Sequence, residues 1–175
     1  MDQLNPTTLA ERGKQENERG SYLPAADLFL QAAQAYASAQ DELNAAEMKN
    51  NQSVALLQAG KAREAFQATD GTETIFQRAG DIKRQGIAVS NRAAALEGLK
   101  KWNEALAEYD RAAALFEEIG EGDMQSIVRK AAANINLKRG RIVDSQMDVF
   151  DSLRLVKKPT LMQRIMKFLV RIGFR

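Results

Sequence analysis

The stretch that decides the fold is residues 100–120, KKWNEALAEYDRAAALFEEIG, in which small and aromatic side chains recur at helical spacing. Ala105 and Ala112 are seven residues apart, and Tyr109 and Phe116 each follow one of them at an offset of four. Offsets of three, four and seven place side chains on one face of an α-helix. The stretch therefore predicts a helix whose packing face alternates small and aromatic residues.

The same pattern recurs when the chain is shifted against itself by 40 residues, with short turns at 20–22, 60–62, 100–102 and 140–142. A repeat of this length predicts antiparallel helix pairs, each of which needs the next pair to cover its apolar face. The matching columns are Ala25, Ala65, Ala105 and Ser145; Phe29, Thr69, Tyr109 and Val149; Ala32, Thr72, Ala112 and Ser152; Tyr36, Phe76, Phe116 and Val156; and, before the turns, Gly13, Ser53, Ala93 and Ala133.

Helix boundaries follow from the turns and from capping residues. Asn5 followed by Pro6 is typical of a helix start, and Asp41, Asp81 and Glu121 begin later helices at the same period. Residues 69–72, Thr-Asp-Gly-Thr, weaken the second helix of repeat two. Helices are predicted near 7–19, 22–39, 42–59, 62–79, 82–99, 102–119, 122–139, 142–157 and 160–174.

The order of small residue, aromatic, Ala, aromatic and Ala resembles the tetratricopeptide repeat signature, carried here by Ala93, Trp102, Ala105, Tyr109 and Ala112. Residues 115–121, LFEEIGE, resemble the lengthened repeat of Pins-type adaptors, and soluble NSF attachment proteins have similar long pairs. The resemblance covers Thr7 to about Lys158, although Lys100 replaces a turn glycine. It implies an all-α, right-handed superhelical solenoid of about four antiparallel helix pairs in residues 1–158, which binds protein in a concave groove.

Composition disfavours an enzyme. The 175 residues include no cysteine and no histidine, which removes thiolate nucleophiles, imidazole bases and most zinc sites, and no phosphate-binding loop is present. No cofactor is expected. The first residues lack a secretory signal pattern, so a cytoplasmic location is expected. Basic residues are concentrated near the C-terminus and stacking aromatics are sparse, which argues against nucleic acid as a partner.

The resemblance places the partner on the first helix of each pair. Asn51 and Asn91 share one column, and asparagine is a mediocre helix former, so its recurrence mid-helix calls for an explanation. These amides either bridge the N–H and C=O groups of a bound peptide, or form a solvated face, or pair between repeats. Lys14, Asn51 and Asn91 match part of the family's carboxylate clamp, but Ile87 and Ala131 stand where it needs polar groups. The candidate positions are Lys14, Asn17, Asn50, Asn51, Val54, Ser90, Asn91, Ala94, Lys130 and Asn134.

Other side chains that could suggest chemistry have simpler interpretations. The aromatic residues occupy the packing columns, so they are predicted to be core. The glutamates at 108, 117 and 118 are predicted to form a solvated face, because paired carboxylates without a buried pocket are no sign of acid–base catalysis. The aromatic set is Phe29, Tyr36, Phe76, Trp102, Tyr109 and Phe116.

Residues 159–175 predict a basic amphipathic helix of a different kind. Arg164, Lys167, Arg171 and Arg175 lie within roughly 80° of one another, and apolar residues including Phe168 spread over about 200°. The segment is shorter than the roughly 20 residues of a membrane span. It could cap the solenoid, lie on an anionic membrane, or dock on a partner or second copy. The apolar arc is wider than a cap requires.

These observations predict a cytoplasmic adaptor that binds a protein or peptide on the concave face of the solenoid. The alternative is a membrane-associated scaffold attached through the C-terminal helix, and an enzyme is a remote third. The sequence does not predict the identity of the partner or the oligomeric state.

Overall fold

A computed structural model describes residues 5–139 of the chain, and every regular element among them is an α-helix. Helices that are consecutive in the chain pack side by side, as expected of a repeat solenoid. The predicted all-α repeat fold is confirmed. The helices are α1 (Pro6–Glu18), α2 (Tyr22–Ser38), α3 (Glu42–Gln58), α4 (Ala62–Ala68), α5 (Thr72–Arg78), α6 (Ile82–Gly98), α7 (Trp102–Glu118) and α8 (Gly122–Lys138).

Helix starts are capped as the sequence predicts in three places. Asn5 Oδ1 accepts a hydrogen bond from the Thr7 backbone N–H at 2.9 Å, and Pro6 is the first helical residue. Asp41 accepts from the backbone N–H of Asn44, and Asp81 accepts from that of Arg84. The backbone hydrogen bond from Arg84 lowers the pKa of Asp81, because it stabilises the carboxylate form.

The second helix of repeat two is interrupted, so the predicted helix 62–79 is two short helices, α4 and α5. Gly71 has a φ of 76°, in the left-handed region that glycine tolerates. Two threonine hydroxyls donate to backbone carbonyls at the break, Thr69 to Phe66 and Thr72 to Thr69. Each carbonyl also accepts a hydrogen bond from the backbone N–H of the same threonine, so the hydroxyl bonds reinforce the turns at the break.

The core contains the columns that the repeat predicts. Ala25, Ala65 and Ala105 are each fully buried, and so are Phe76 and Phe116. Phe29 and Tyr109 are also buried, whereas Tyr36 and Trp102 are partly buried and pack against the core clusters. Small residues in one helix therefore alternate with aromatic ones, and this brings neighbouring helices close together.

Ion pairs connect successive repeats beyond the apolar core. Arg84 of α6 pairs with Glu47 of α3, and Lys83 of α6 pairs with Glu121, the residue before α8. Glu108, predicted to lie on a solvated face, is instead mostly buried between Arg92 and Arg111. That prediction is wrong because Arg92 of α6 faces α7 at this position. Helical periodicity within α7 alone does not show which side chain of α6 Glu108 will meet.

The predicted helices 142–157 and 160–174 lie outside the described residues. Within residues 5–139, no helix combines the length and the apolar character that a membrane span requires.

Candidate partner-binding surface

The first helices of the four pairs are α1, α3, α6 and α8, and we call their exposed side chains the A-helix face. Lys14, Lys130 and Asn134 are exposed on this face, and none of them has an ion pair or side-chain hydrogen bond among the described residues. Asn51 and Asn91 are half-buried, and their amides form no hydrogen bond with the rest of residues 5–139. These five predicted positions therefore retain free polar groups.

A cleft of about 160 Å³ lies between α1 and α3 and brings several predicted residues together. The Oδ1 atom of Asn17 is buried there without a hydrogen-bond partner among the described residues. A buried acceptor without a partner costs free energy. The lining residues are Lys14, Asn17, Glu18, Phe29, Asn51 and Val54.

Gly13 explains why an aromatic ring lies at the base of this cleft. A Cβ atom added at Gly13 would lie 2.9 Å from ring atoms of Phe29, closer than side-chain carbons approach in proteins. The glycine therefore leaves room for the Phe29 ring against α1. The ring provides apolar surface beneath the polar rim of Lys14 and Asn17.

Two predicted site residues do not present free polar groups on the surface. Asn50 is only 4% exposed, so the expectation that it lies on the binding face is wrong. It is four residues after Ala46 and three before Ser53, both buried, and this spacing places all three on the inner face of α3. The hydroxyl of Ser90 donates to the Ile87 carbonyl at 2.8 Å and is used within its own helix.

The A-helix face also carries apolar surface. Ile127 is 61% exposed, and Leu137 and Val54 are exposed as well. A second cleft, of about 330 Å³, is lined by Leu57, Ala94, Glu97, Gly98, Trp102 and Lys138. Ala94 was a predicted position, whereas Trp102 was predicted to be core and not a binding residue.

Electrostatics in the second cleft favour binding and packing over catalysis. Glu97 accepts hydrogen bonds from the Tyr109 hydroxyl at 3.2 Å and from Lys138 Nζ at 2.8 Å. Burial, and secondarily the negative charge of Glu97, raises the pKa of Tyr109, so its hydroxyl remains a neutral donor at physiological pH. Both carboxylate oxygens of Glu97 are therefore already engaged within the described residues.

No cluster within residues 5–139 combines enough acidic, histidine or cysteine side chains to hold a metal ion. The predicted tail residues Arg164, Lys167, Phe168 and Arg171 lie outside the described residues. What the described part presents is a solenoid surface with free amides, two clefts and exposed apolar side chains. Those features are typical of helical-repeat proteins, a class that commonly binds other macromolecules through extended surfaces.

Comparison with known families supports the same class. The family model described as "Soluble NSF attachment protein, SNAP" matches residues 18–171, which is most of the chain. The chain belongs to the soluble NSF attachment protein family, a family of non-catalytic helical adaptors that bind proteins. The soluble NSF attachment resemblance read from the sequence is thereby confirmed, and the narrower Pins-type resemblance is not. No curated protein matches the chain individually.

Proposed function

We propose that the chain is an adaptor that binds an extended segment or a helix of a protein partner on its A-helix face. The observation that carries the proposal is the pair of half-buried amides, Asn51 and Asn91, which form no hydrogen bond with the described residues. An amide side chain donates and accepts at once, so it can pair with both the N–H and the C=O of a bound backbone. Their 40-residue spacing puts one such amide on each of two successive repeats.

The two clefts supply further anchoring points near these amides, because Asn51 lines the first cleft and Ala94, three residues after Asn91, lines the second. The first offers the cation of Lys14 and the exposed side chain of Val54. The second offers Trp102, and a partly exposed tryptophan in a cleft is the type of residue that dominates binding energy at protein interfaces. The family description names NSF, and NSF is therefore the first partner to test.

Replacing both Asn51 and Asn91 with Ala is expected to weaken binding to purified NSF by about tenfold or more. Each lost amide removes hydrogen bonds that contribute roughly 0.5–1.5 kcal/mol apiece. The thermal midpoint should stay nearly unchanged, because neither amide is bonded within the described structure. Isothermal titration calorimetry and a melting curve on the same samples measure both quantities.

The matched control replaces two exposed amides on α4 and α5, Gln67 and Gln77, with Ala. This variant should bind NSF as the unmodified chain does. If the Asn51/Asn91 variant keeps its affinity but melts at a lower temperature, the amides are structural and the proposal fails.

A second candidate function, attachment to an anionic membrane through residues 159–175, is favoured by the wide apolar arc that the sequence of that segment predicts. Replacing Arg164, Lys167 and Arg171 with Glu should then abolish flotation with vesicles containing phosphatidylserine. Each Lys or Arg near such a surface contributes about 1 kcal/mol of attraction, which salt screens. Flotation of the unmodified chain should accordingly decrease as salt is raised.

Ile165→Asp separates this function from a capping role. A cap would tolerate the charge reversal but lose stability on Ile165→Asp, because a charge would be buried without a partner. A chain whose flotation is indifferent to charge reversal, and which is destabilised by Ile165→Asp, would exclude the membrane function and leave the adaptor function intact.

A further inference from the structure

A groove of about 700 Å³ lies between α2 and α5, which belong to the second helices of their pairs. The helix α3 forms its floor. Its volume is in the range of about 300–1,000 Å³ that is common for ligand sites. Most of the lining surface is apolar, and Leu30 on its edge is 36% exposed. The lining includes Leu30, Ala33, Ala37, Lys49, Ile75 and Arg78.

The repeat register explains why this groove is open. One repeat further along, Glu73 of α5 and Arg111 of α7 form an ion pair that bridges the corresponding gap. The residues 40 positions earlier are Ala33 and Gly71, and both line the groove. Where the later repeat has the Glu73–Arg111 ion pair, this repeat has Ala33 and Gly71. These two residues are too small to close the gap between α2 and α5.

The same register shows an unmatched charge in the groove. Arg129 of α8 pairs with Asp110 of α7 at 3.0 Å. The residues 80 positions earlier are Lys49 of α3 and Leu30 of α2. The cation is thus retained, whereas its acidic partner is replaced by an exposed leucine. Lys49 is exposed and has no ion pair among the described residues.

Two further charges complete the rim. Arg78 is exposed and also has no ion pair within residues 5–139. Glu42 lines the groove at the start of α3, seven residues from Lys49, which is about 10.5 Å along the helix. That separation exceeds a contact distance, so Glu42 leaves the charge of Lys49 uncompensated. An occupant of this groove must therefore supply apolar surface and at least one carboxylate.

We propose that this groove binds an amphipathic helix of a protein partner, with its apolar side chains against Leu30, Ala37 and Ile75 and an acidic side chain against Lys49. Laying an apolar helix face into such a groove is a common mode of recognition. Residues 152–175 of the chain itself carry seven basic side chains and no acidic one, so they would bring like charge to Lys49. The groove shares no lining residue with the two A-helix clefts and is a separate binding surface.

The test uses the full chain and three labelled peptides, with binding measured by fluorescence anisotropy. Two are designed helices of about 18 residues, five turns, with one leucine stripe and flanks of either glutamate or lysine. The third is the segment 160–175. The glutamate peptide is expected to bind at least tenfold more tightly than the lysine peptide. Lys49→Glu should reverse that preference, and Leu30→Asp should reduce the affinity for the glutamate peptide at least tenfold.

Lys61→Glu is the matched control, because Lys61 is an exposed lysine outside the groove. It should leave the preference between the two designed peptides unchanged, and circular dichroism of each variant checks that the fold is retained. Equal binding of the two designed peptides, absence of binding, or a preference that Lys49→Glu leaves unaltered would overturn the proposal. Tighter binding of the 160–175 peptide than of the glutamate peptide would assign the groove to the chain's own tail and overturn it as well.

Discussion

Phe116→Ala is expected to lower the free energy of unfolding by about 3–5 kcal/mol, the usual cost of removing a buried aromatic ring. Phe116 is 0% exposed and belongs to the cluster that α6, α7 and α8 share. The surrounding helices are held by their own repeats, so the cavity is not expected to close fully. Urea unfolding followed by circular dichroism measures the loss.

Gly86 provides a specific check on this packing. A Cβ atom added at Gly86 would lie 2.7 Å from a ring carbon of Phe116, so Gly86→Ala alone should also destabilise the chain. The double variant Gly86→Ala/Phe116→Leu should lose less free energy of unfolding than the sum of the two single losses. The reason is that leucine leaves space for the added Cβ atom. Leu23→Ala is the control at an exposed leucine, and it should cost less than about 0.5 kcal/mol. Additive single effects would contradict the described contact.

Ala105→Leu is expected to destabilise the chain by about 1–3 kcal/mol through overpacking. Ala105 is 0% exposed and packs in the same cluster as Tyr109 and Ala112. The added side chain has no free volume to enter, so α6 and α7 would have to separate. The thermal midpoint and the urea midpoint should both decrease.

The matched control is Ala114→Leu, the same substitution at an exposed position of the same helix. It should be nearly silent, because the larger side chain extends into solvent and leucine forms helix almost as well as alanine. Glu108 would be a poor control, since its carboxylate is mostly buried against Arg92 and Arg111. Equal melting of the two leucine variants would show that the buried and exposed faces of α7 had been assigned wrongly.

Most of the fold was predictable because each helix carries its own signals. Small residues recur before and after every turn, and Asp41 and Asp81 cap the helices that follow them. These signals act over a few residues, so they can be recognised without knowing which helices pack together. The predicted and described helices consequently agree within about two residues, apart from the break at Gly71.

The binding surface was only partly predictable. The family resemblance implied that Lys14, Asn51 and Asn91 share a binding surface, and the structure brings Lys14 and Asn51 into one cleft. Periodicity did not show that Asn50 is buried, because a polar residue near the edge of a helix face is exposed or covered according to the adjacent helix. Trp102 was predicted to be core because its column in the repeat is a packing column. In the structure, a cleft leaves its ring partly exposed.

The sequence by itself determined the helical repeat, its period, its caps and the columns that form the core, because those depend on side-chain spacing along a single chain. Only the tertiary structure decided which charges find partners. Arg129 and Lys49 occupy the same register, but the facing residue is Asp110 in one case and Leu30 in the other. Whether a cation is paired depends on the neighbouring helix it meets, and that contact exists only after the repeats have stacked.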